Sequence, residues 1–256
     1  SAVALAACEA PIRKAIPYVN KPVDLDPSIA NYYASSYING GEYCSIVVKT
    51  REGRPIKIDG NALSTVTHGC TNAQVEASVL SLYDNARMRG PKKGNEKISW
   101  ESLDSEVIAK LNQIEGEGGQ IRIVSNSVLS PSAKAAFAKF TSKFPSTQLV
   151  QYDQSSAYGM LKANQESIGA AVIPSYDFSK ASVIVSIAAD FLNSWIAPIE
   201  FNMQYAKTRD VNTTKDMSRH YQFESIMSLT GANADYRTQI KPSEEGAVVV
   251  QLYNLI

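Results

Sequence analysis

Three cysteines, two histidines and a few paired acids are the residues of this 256-residue chain whose types could do chemistry. Cys8, Cys44 and Cys70, with His68 and His220, contain no pair at the C-x-x-C or H-x-x-x-H spacing that a zinc or iron–sulfur site uses. Cys44 and Cys70 could close one disulfide in an exported chain, and two free buried thiols fit the sequence equally well. His68 precedes Gly69-Cys70, which suggests a Cys/His nucleophile pair, but residues so close along the chain seldom orient toward each other. His220 lies in the alternating run His220–Glu224 and reads as a sheet-surface residue. The acid pairs Glu115/Glu117 and Glu244/Glu245 sit at a helix end and a helix start, where solvated faces explain them better than glycosidase chemistry. No G-x-S-x-G elbow occurs. No catalytic, cofactor-binding or metal-ligating residue is therefore assigned.

Phosphate-binding loops are missing too. After the first expected parallel strand the chain reads Val124-Ser125-Asn126-Ser127-Val128, without the G-x-G-x-x-G of a dinucleotide turn. Gly90-Pro-Lys-Lys-Gly94 lacks the strand before it and the Lys-Ser/Thr after it that a Walker loop requires. Twenty-five basic residues balance twenty-five acidic ones, so no electrostatic footprint for nucleic acid exists. No apolar run approaches the roughly 18 residues of a membrane span. Ser1 to Cys8 (SAVALAAC) resembles the end of a signal-peptide apolar region, and Leu5-Ala6-Ala7-Cys8 fits a lipoprotein cleavage pattern with Cys8 as the acylated residue. An exported protein is expected.

The elements that must position these residues fall into three stretches. Residues 1–40 read as a signal-peptide remnant followed by an extended arm rich in Pro, Tyr, Asn and Ser. Residues 41–97 read as a small β-hairpin and helix domain: strands at 44–50 and 55–59 joined through Gly53, a helix over 72–83, and a basic loop at 89–97. Residues 98–256 read as a Rossmann-like α/β domain. Its first helix spans 100–114, with Leu103, Val107, Ile108, Leu111 and Ile114 on one face. Strands at 120–125, 147–152 and 182–187 alternate with helices from Ser130-Pro131 to Lys143 and at 155–164, which predicts a parallel sheet. A last helix starts near Ser243 and is still apolar at Ile256, as if the helix continues past this sequence. The expected fold is α/β: a small antiparallel unit, then a parallel sheet with flanking helices.

Several segments together carry a family resemblance. Cys44-Ser-Ile-Val-Val-Lys-Thr-Arg-Glu-Gly-Arg-Pro-Ile-Lys-Ile-Asp-Gly-Asn61 resembles the N-terminal hairpin of the molybdopterin oxidoreductase superfamily. Ala77 to Arg87 looks like that family's Q-A-x-x-x-L-Y-D-P-x-R helix, and Ile98-Ser-Trp-Glu101 the start of its next helix. Ala189-Asp-Phe-Leu192, Met217-Ser-Arg219 and Ser228 to Asp235, with Cys8 to Pro11 and Tyr18 to Pro22, look like the molybdopterin-like, iron–sulfur B subunits of bacterial alternative complex III. The resemblance covers almost all of this chain but only the N-terminal portion of such a subunit.

In active relatives a C-x-x-C-x-x-x-C run enters the hairpin, and a fourth cysteine follows three residues after a glycine. Carried onto this sequence, these positions are Tyr37, Gly40, Cys44 and, counting from Gly69, Asn72. One thiolate of four remains, and an iron–sulfur cluster needs about four. The resemblance therefore implies a cofactor-free scaffold within a quinol:electron-acceptor (cytochrome c) oxidoreductase complex. Iron–sulfur clusters would lie in a C-terminal part not in this sequence. The implied partners are a multihaem cytochrome c and quinol-binding membrane subunits. The implied location is the periplasmic face of the inner membrane, reached by the twin-arginine route. The polar arm at 9–40 and the aromatic loop around Trp195 and Tyr205 are the candidate contact surfaces. The alternative is an N-terminal fragment of an active bis-molybdopterin oxidoreductase. An unrelated small-molecule-binding α/β domain is a third reading.

Overall fold

Two glycine turns set the first sheet. The structure is a computed structural model that describes Val23, Asp26 and residues 29–153 and 155–256. Strands β1 (Asn31–Asn39), β2 (Glu42–Arg51) and β3 (Arg54–Gly60) form an antiparallel sheet in that order. Gly40 turns β1 into β2 with φ 59°, and Glu52 and Gly53, both at positive φ, make the two-residue turn into β3. Alternation along β2 places Cys44, Ile46 and Thr50 inside. Helix α1 (Ala73–Ala77) and a 3₁₀ turn to Leu82 cover them with Val75 and Val79.

The hairpin matches the sequence expectation, and one stretch of the expected arm is a paired strand. Residues 31–39, expected at the end of an extended arm, are β1, which pairs with β2 along its whole length. Their run of Tyr, Ser and Ala is exposed on both faces, with only Asn31 and Tyr37 half-buried. The proposed lipidation residue Cys8, the export signal and the motifs at 8–11 and 18–22 lie outside the described residues.

The basic loop closes a minimal hairpin, β4 (Lys92–Lys93) with β5 (Glu96–Lys97), and Lys93 pairs with Glu106 at 2.8 Å. Helix α2 (Trp100–Gly116) starts where Ser99 accepts from the Ser102 amide. Its expected apolar face is present but shallow: Leu103, Leu111 and Ile114 are half-buried, and Val107 and Ile108 exposed.

Strand β6 (Ile121–Ser125) crosses through α3 (Pro131–Lys143), capped by Ser130 as expected, to the parallel β7 (Thr147–Gln151). Helix α4 (Tyr158–Ile168) follows. A second parallel sheet, order β10-β9-β8, contains β8 (Val183–Ile187), β9 (Arg219–Glu224) and β10 (Tyr236–Gln239). Helix α5 (Pro198–Lys207) joins β8 to β9, α6 (Leu229–Ala232) joins β9 to β10, and α7 (Glu245–Leu255) comes last.

The fold is thus α/β with an antiparallel N-terminal sheet and parallel sheets flanked by helices. The expected single parallel sheet is two, β6-β7 and β10-β9-β8, with no hydrogen-bonded pair between them. Phe178 stacks on Phe191 at 4.6 Å, and its amide donates to Gln204 Oε1 at 2.9 Å. Helix α5 serves two cores: Ile199 packs with Cys44, Ile46 and Val75, while Phe201 and Tyr205 pack with Ile184, Phe191 and Leu192.

Candidate functional site

The four positions that carry cluster thiolates in the resembling family meet at one corner of the antiparallel sheet. Tyr37 is the cross-strand partner of Cys44, and Gly40 makes the turn between their strands. Asn72 caps α1, accepting from the Val75 amide at 2.9 Å, and its amide nitrogen donates to Glu42 Oε1 at 2.5 Å. Cys44 is 0% exposed, and its thiol donates to the Cys70 carbonyl at 3.4 Å. Both thiols are free. Burial pushes the Cys44 and Cys70 thiols above their ordinary range. The residues at this corner do not fit an iron–sulfur cluster. Among the described residues, no group of three or more His, Cys, Asp or Glu is placed to hold a metal ion.

The Gly60-Asn61 end of the hairpin has its own reason. A Cβ at Gly60 would overlap the Gly69 carbonyl, so only glycine lets β3 lie against the 67–70 turn. Asn61 then ties back to β2 through Ser45, amide to carbonyl at 3.0 Å. His68 is exposed at φ 47°, and no hydrogen bond joins it to Cys70.

A cavity of about 580 Å³ opens between this corner and the second parallel sheet. Cys70, Asn72 and Gln74 line it from one side; Asn193, Asn202 and Leu229 line it from the other. It sits beyond the carboxyl ends of β8 and β9, where open α/β sheets place ligands. Its described lining has amides and a thiol but no charged side chain. Such a surface can hydrogen-bond a ligand.

Acid chemistry is instead consumed beneath that rim. Asp190, just after β8, accepts from the Thr230 amide at 3.1 Å and from its hydroxyl at 2.8 Å. Thr230 Oγ1 in turn accepts from the Leu192 amide at 2.9 Å. The loops after β8 and β9 are thereby latched together. The first of them holds Ala188 at φ 54° and Ile196 at φ 58°, conformations that non-glycine residues adopt at a cost of about 1–2 kcal/mol.

Strand β9 inverts the usual pattern: its inward residues are His220, Gln222 and Glu224, all at most 3% exposed. They form a chain. His220 Nε2 lies 3.3 Å from Gln222 Oε1, and Gln222 donates to Glu224 Oε2 at 3.2 Å. Glu224 also accepts from the Ser228 amide and hydroxyl and from Arg237 Nε at 2.5 Å. Burial opposes ionisation of Glu224, yet these hydrogen bonds outweigh it and hold the carboxyl below its usual range. Arg209 grips Asp235 through both guanidinium nitrogens at 2.6 and 2.8 Å, which holds that carboxyl at about 2.

Two expectations are corrected here. His220 is a fully buried member of this chain and not a sheet-surface residue, because its neighbours satisfy both ring nitrogens. Tyr205 is buried with its hydroxyl bonded, so it offers no contact surface, while Trp195 remains half-buried. Glu115 receives the Ser146 hydroxyl at 2.8 Å, and Glu244 accepts from the Lys241 amide, so both carboxylates secure helix ends. Asp190, Arg209, Glu224, Thr230 and Asp235 were not assigned roles from the sequence. For Asp190, Thr230 and Asp235 the signal was their place in the 189–192 and 228–235 segments of the resemblance; Arg209 and Glu224 had none.

The fold and this rim define an α/β protein whose sheet-end loops are fixed by internal ion pairs and latches. No family model matches the chain. It is similar to the menaquinone reductase, molybdopterin-binding-like subunit of Nitratidesulfovibrio vulgaris (strain Hildenborough), 22% identical over 221 residues. Those residues are 82% of this chain and 30% of the relative, so the chain spans about a third of that protein's length.

Proposed function

We propose that this chain is a cofactor-free, molybdopterin-like scaffold portion of a membrane-bound quinone oxidoreductase complex. The observation that carries the reading is the corner of Tyr37, Gly40, Cys44 and Asn72. Each position that would supply a thiolate serves the fold instead, as strand partner, turn, core residue or helix cap. The similarity to a subunit named for menaquinone reductase and for being molybdopterin-binding-like supports the same class of assembly. Within that class the motifs at 189–192, 217–219 and 228–235 favour the B subunit of alternative complex III. Its clusters and haems then lie in other parts of the complex, on the periplasmic side. In this reading the latched loops keep their shape for docking neighbouring subunits.

The test is isolation of the full-length protein containing this chain, affinity-tagged, from its own cell membranes. The reading expects co-isolation of a multihaem cytochrome c and membrane subunits, with quinol oxidation by the assembly. Isolation as a lone protein that carries molybdenum would contradict it and favour the active-oxidoreductase alternative.

A further inference from the structure

The proton count along the buried chain does not close for a neutral histidine. Tyr205 Oη lies 2.9 Å from the Asn233 carbonyl and 3.2 Å from His220 Nδ1. A tyrosine hydroxyl has one proton. If it goes to Asn233, Nδ1 must carry its own hydrogen and donate to Tyr205. On the other side, Gln222 turns its amino group to the Glu224 carboxylate and so presents its carbonyl to Nε2. That contact also needs a hydrogen on the ring. All three contacts are satisfied together only by an imidazolium. A neutral ring protonated at Nε2 keeps the Gln222 bond but takes the Tyr205 proton at Nδ1, and Asn233 loses its donor.

We infer that His220 is a buried proton-binding site whose occupancy decides whether Tyr205 is tied to Asn233 or to the ring. The consequence is mechanical. Tyr205 is on α5 and Asn233 ends α6, and these helices supply Asn202, Met203 and Leu229 to the walls of the 580 Å³ cavity. Proton uptake fastens one wall to the other; proton loss releases the tie.

The groups facing the ring set the balance between the two states. Arg209, following α5, repels a charged ring, whereas Glu224 on β9 and Asp235 before β10 attract it. Phe191, from the loop after β8, lies 5.3 Å away between centroids and contributes only burial. Burial outweighs the acids and pushes the ring below its ordinary 6.5, so the tied state belongs to the acid side of that value.

The experiment is ¹⁵N NMR of the histidine rings in the intact protein between about pH 4.5 and 8. The sequence has two histidines, so His68→Asn assigns the signals. Near pH 8 His220 is expected as a neutral ring protonated at Nε2. It should gain the second ring hydrogen with a midpoint below 6.5. The Asn233 carbonyl ¹³C signal should shift with the same midpoint, and the shift should vanish in Tyr205→Phe. A neutral ring protonated at Nδ1, or an Asn233 signal indifferent to the titration, would overturn the inference. The ring measurement is made on His68→Asn and unaltered protein, so it stands even if Tyr205→Phe fails to fold.

Discussion

Replacing Asp235 by Asn removes the anion that Arg209 holds while keeping an oxygen that can accept from the His220 amide at 2.8 Å. The folded carboxyl titrates at about 2 against an ordinary 3.8. That gap is about 2.4 kcal/mol at about 1.36 kcal/mol per pH unit. Water reaches 30% of the side chain, so about 1.5–2 kcal/mol is expected. The sign follows from the depressed value. Between 3.8 and about 2 the unfolded chain binds the proton and the folded chain does not. The stabilisation is therefore complete above 3.8 and is lost as pH falls toward 2. By about pH 3 roughly half should be gone. Urea unfolding is followed by tryptophan fluorescence in a Trp100→Phe background, where the signal comes from Trp195, whose ring lies 5.3 Å from Tyr176 and 6.0 Å from Phe201. Asp235→Asn should unfold at lower urea than the unaltered protein at neutral pH, with the gap narrowing by about half near pH 3. An equal gap at both pH values would refute the ion-pair account.

Other consequences are as direct. Thr230→Val breaks the latch and leaves the Leu192 amide without its acceptor, which should cost about 2–3 kcal/mol in the same assay. Gly60→Ala drives a methyl into the Gly69 carbonyl and should destabilise the antiparallel sheet by more than about 2 kcal/mol, against near zero at the unobstructed Gly41. With a thiol reagent near pH 7, Cys70 should react slowly in the folded protein and Cys44 only after unfolding, as read by mass spectrometry of peptides. Ser130→Ala removes the α3 cap and should cost about 1 kcal/mol, measured by thermal unfolding.

Local chemistry explains which parts of this fold were readable. The Glu52-Gly53 turn, the Ser130 cap and the Ser182–Ile187 run announce their elements through backbone rules that hold without tertiary context. Strand β1 was hidden because its sheet faces carry Tyr, Ser and Ala, a composition shared with extended loops. Helix α5 was missed because its buried face mixes Gln204 with Ile199, Phe201 and Tyr205, which blurs the apolar period. The site was harder still. His220, Gln222 and Glu224 look like a solvent face by polarity, and only the partners brought from α5, α6 and β10 make them interior. Their burial depends on hydrogen bonds between residues up to 15 positions apart, such as Tyr205 and His220, which no local pattern encodes. That positions 37, 40 and 72 hold no cysteine is visible in the sequence itself; that Asn72 caps a helix is not.

Whether this fold persists without a cofactor is decided by metal and pterin analysis of the protein after anaerobic incubation with iron and sulfide. Iron and molybdenum are counted per chain, alongside visible absorption and electron paramagnetic resonance. A scaffold should show no stoichiometric iron, no cluster signal assignable to Cys44, and no molybdenum or extractable pterin bound to these residues. A cluster that disappears in Cys44→Ser, or a pterin recovered in equal amount with this chain, would contradict it.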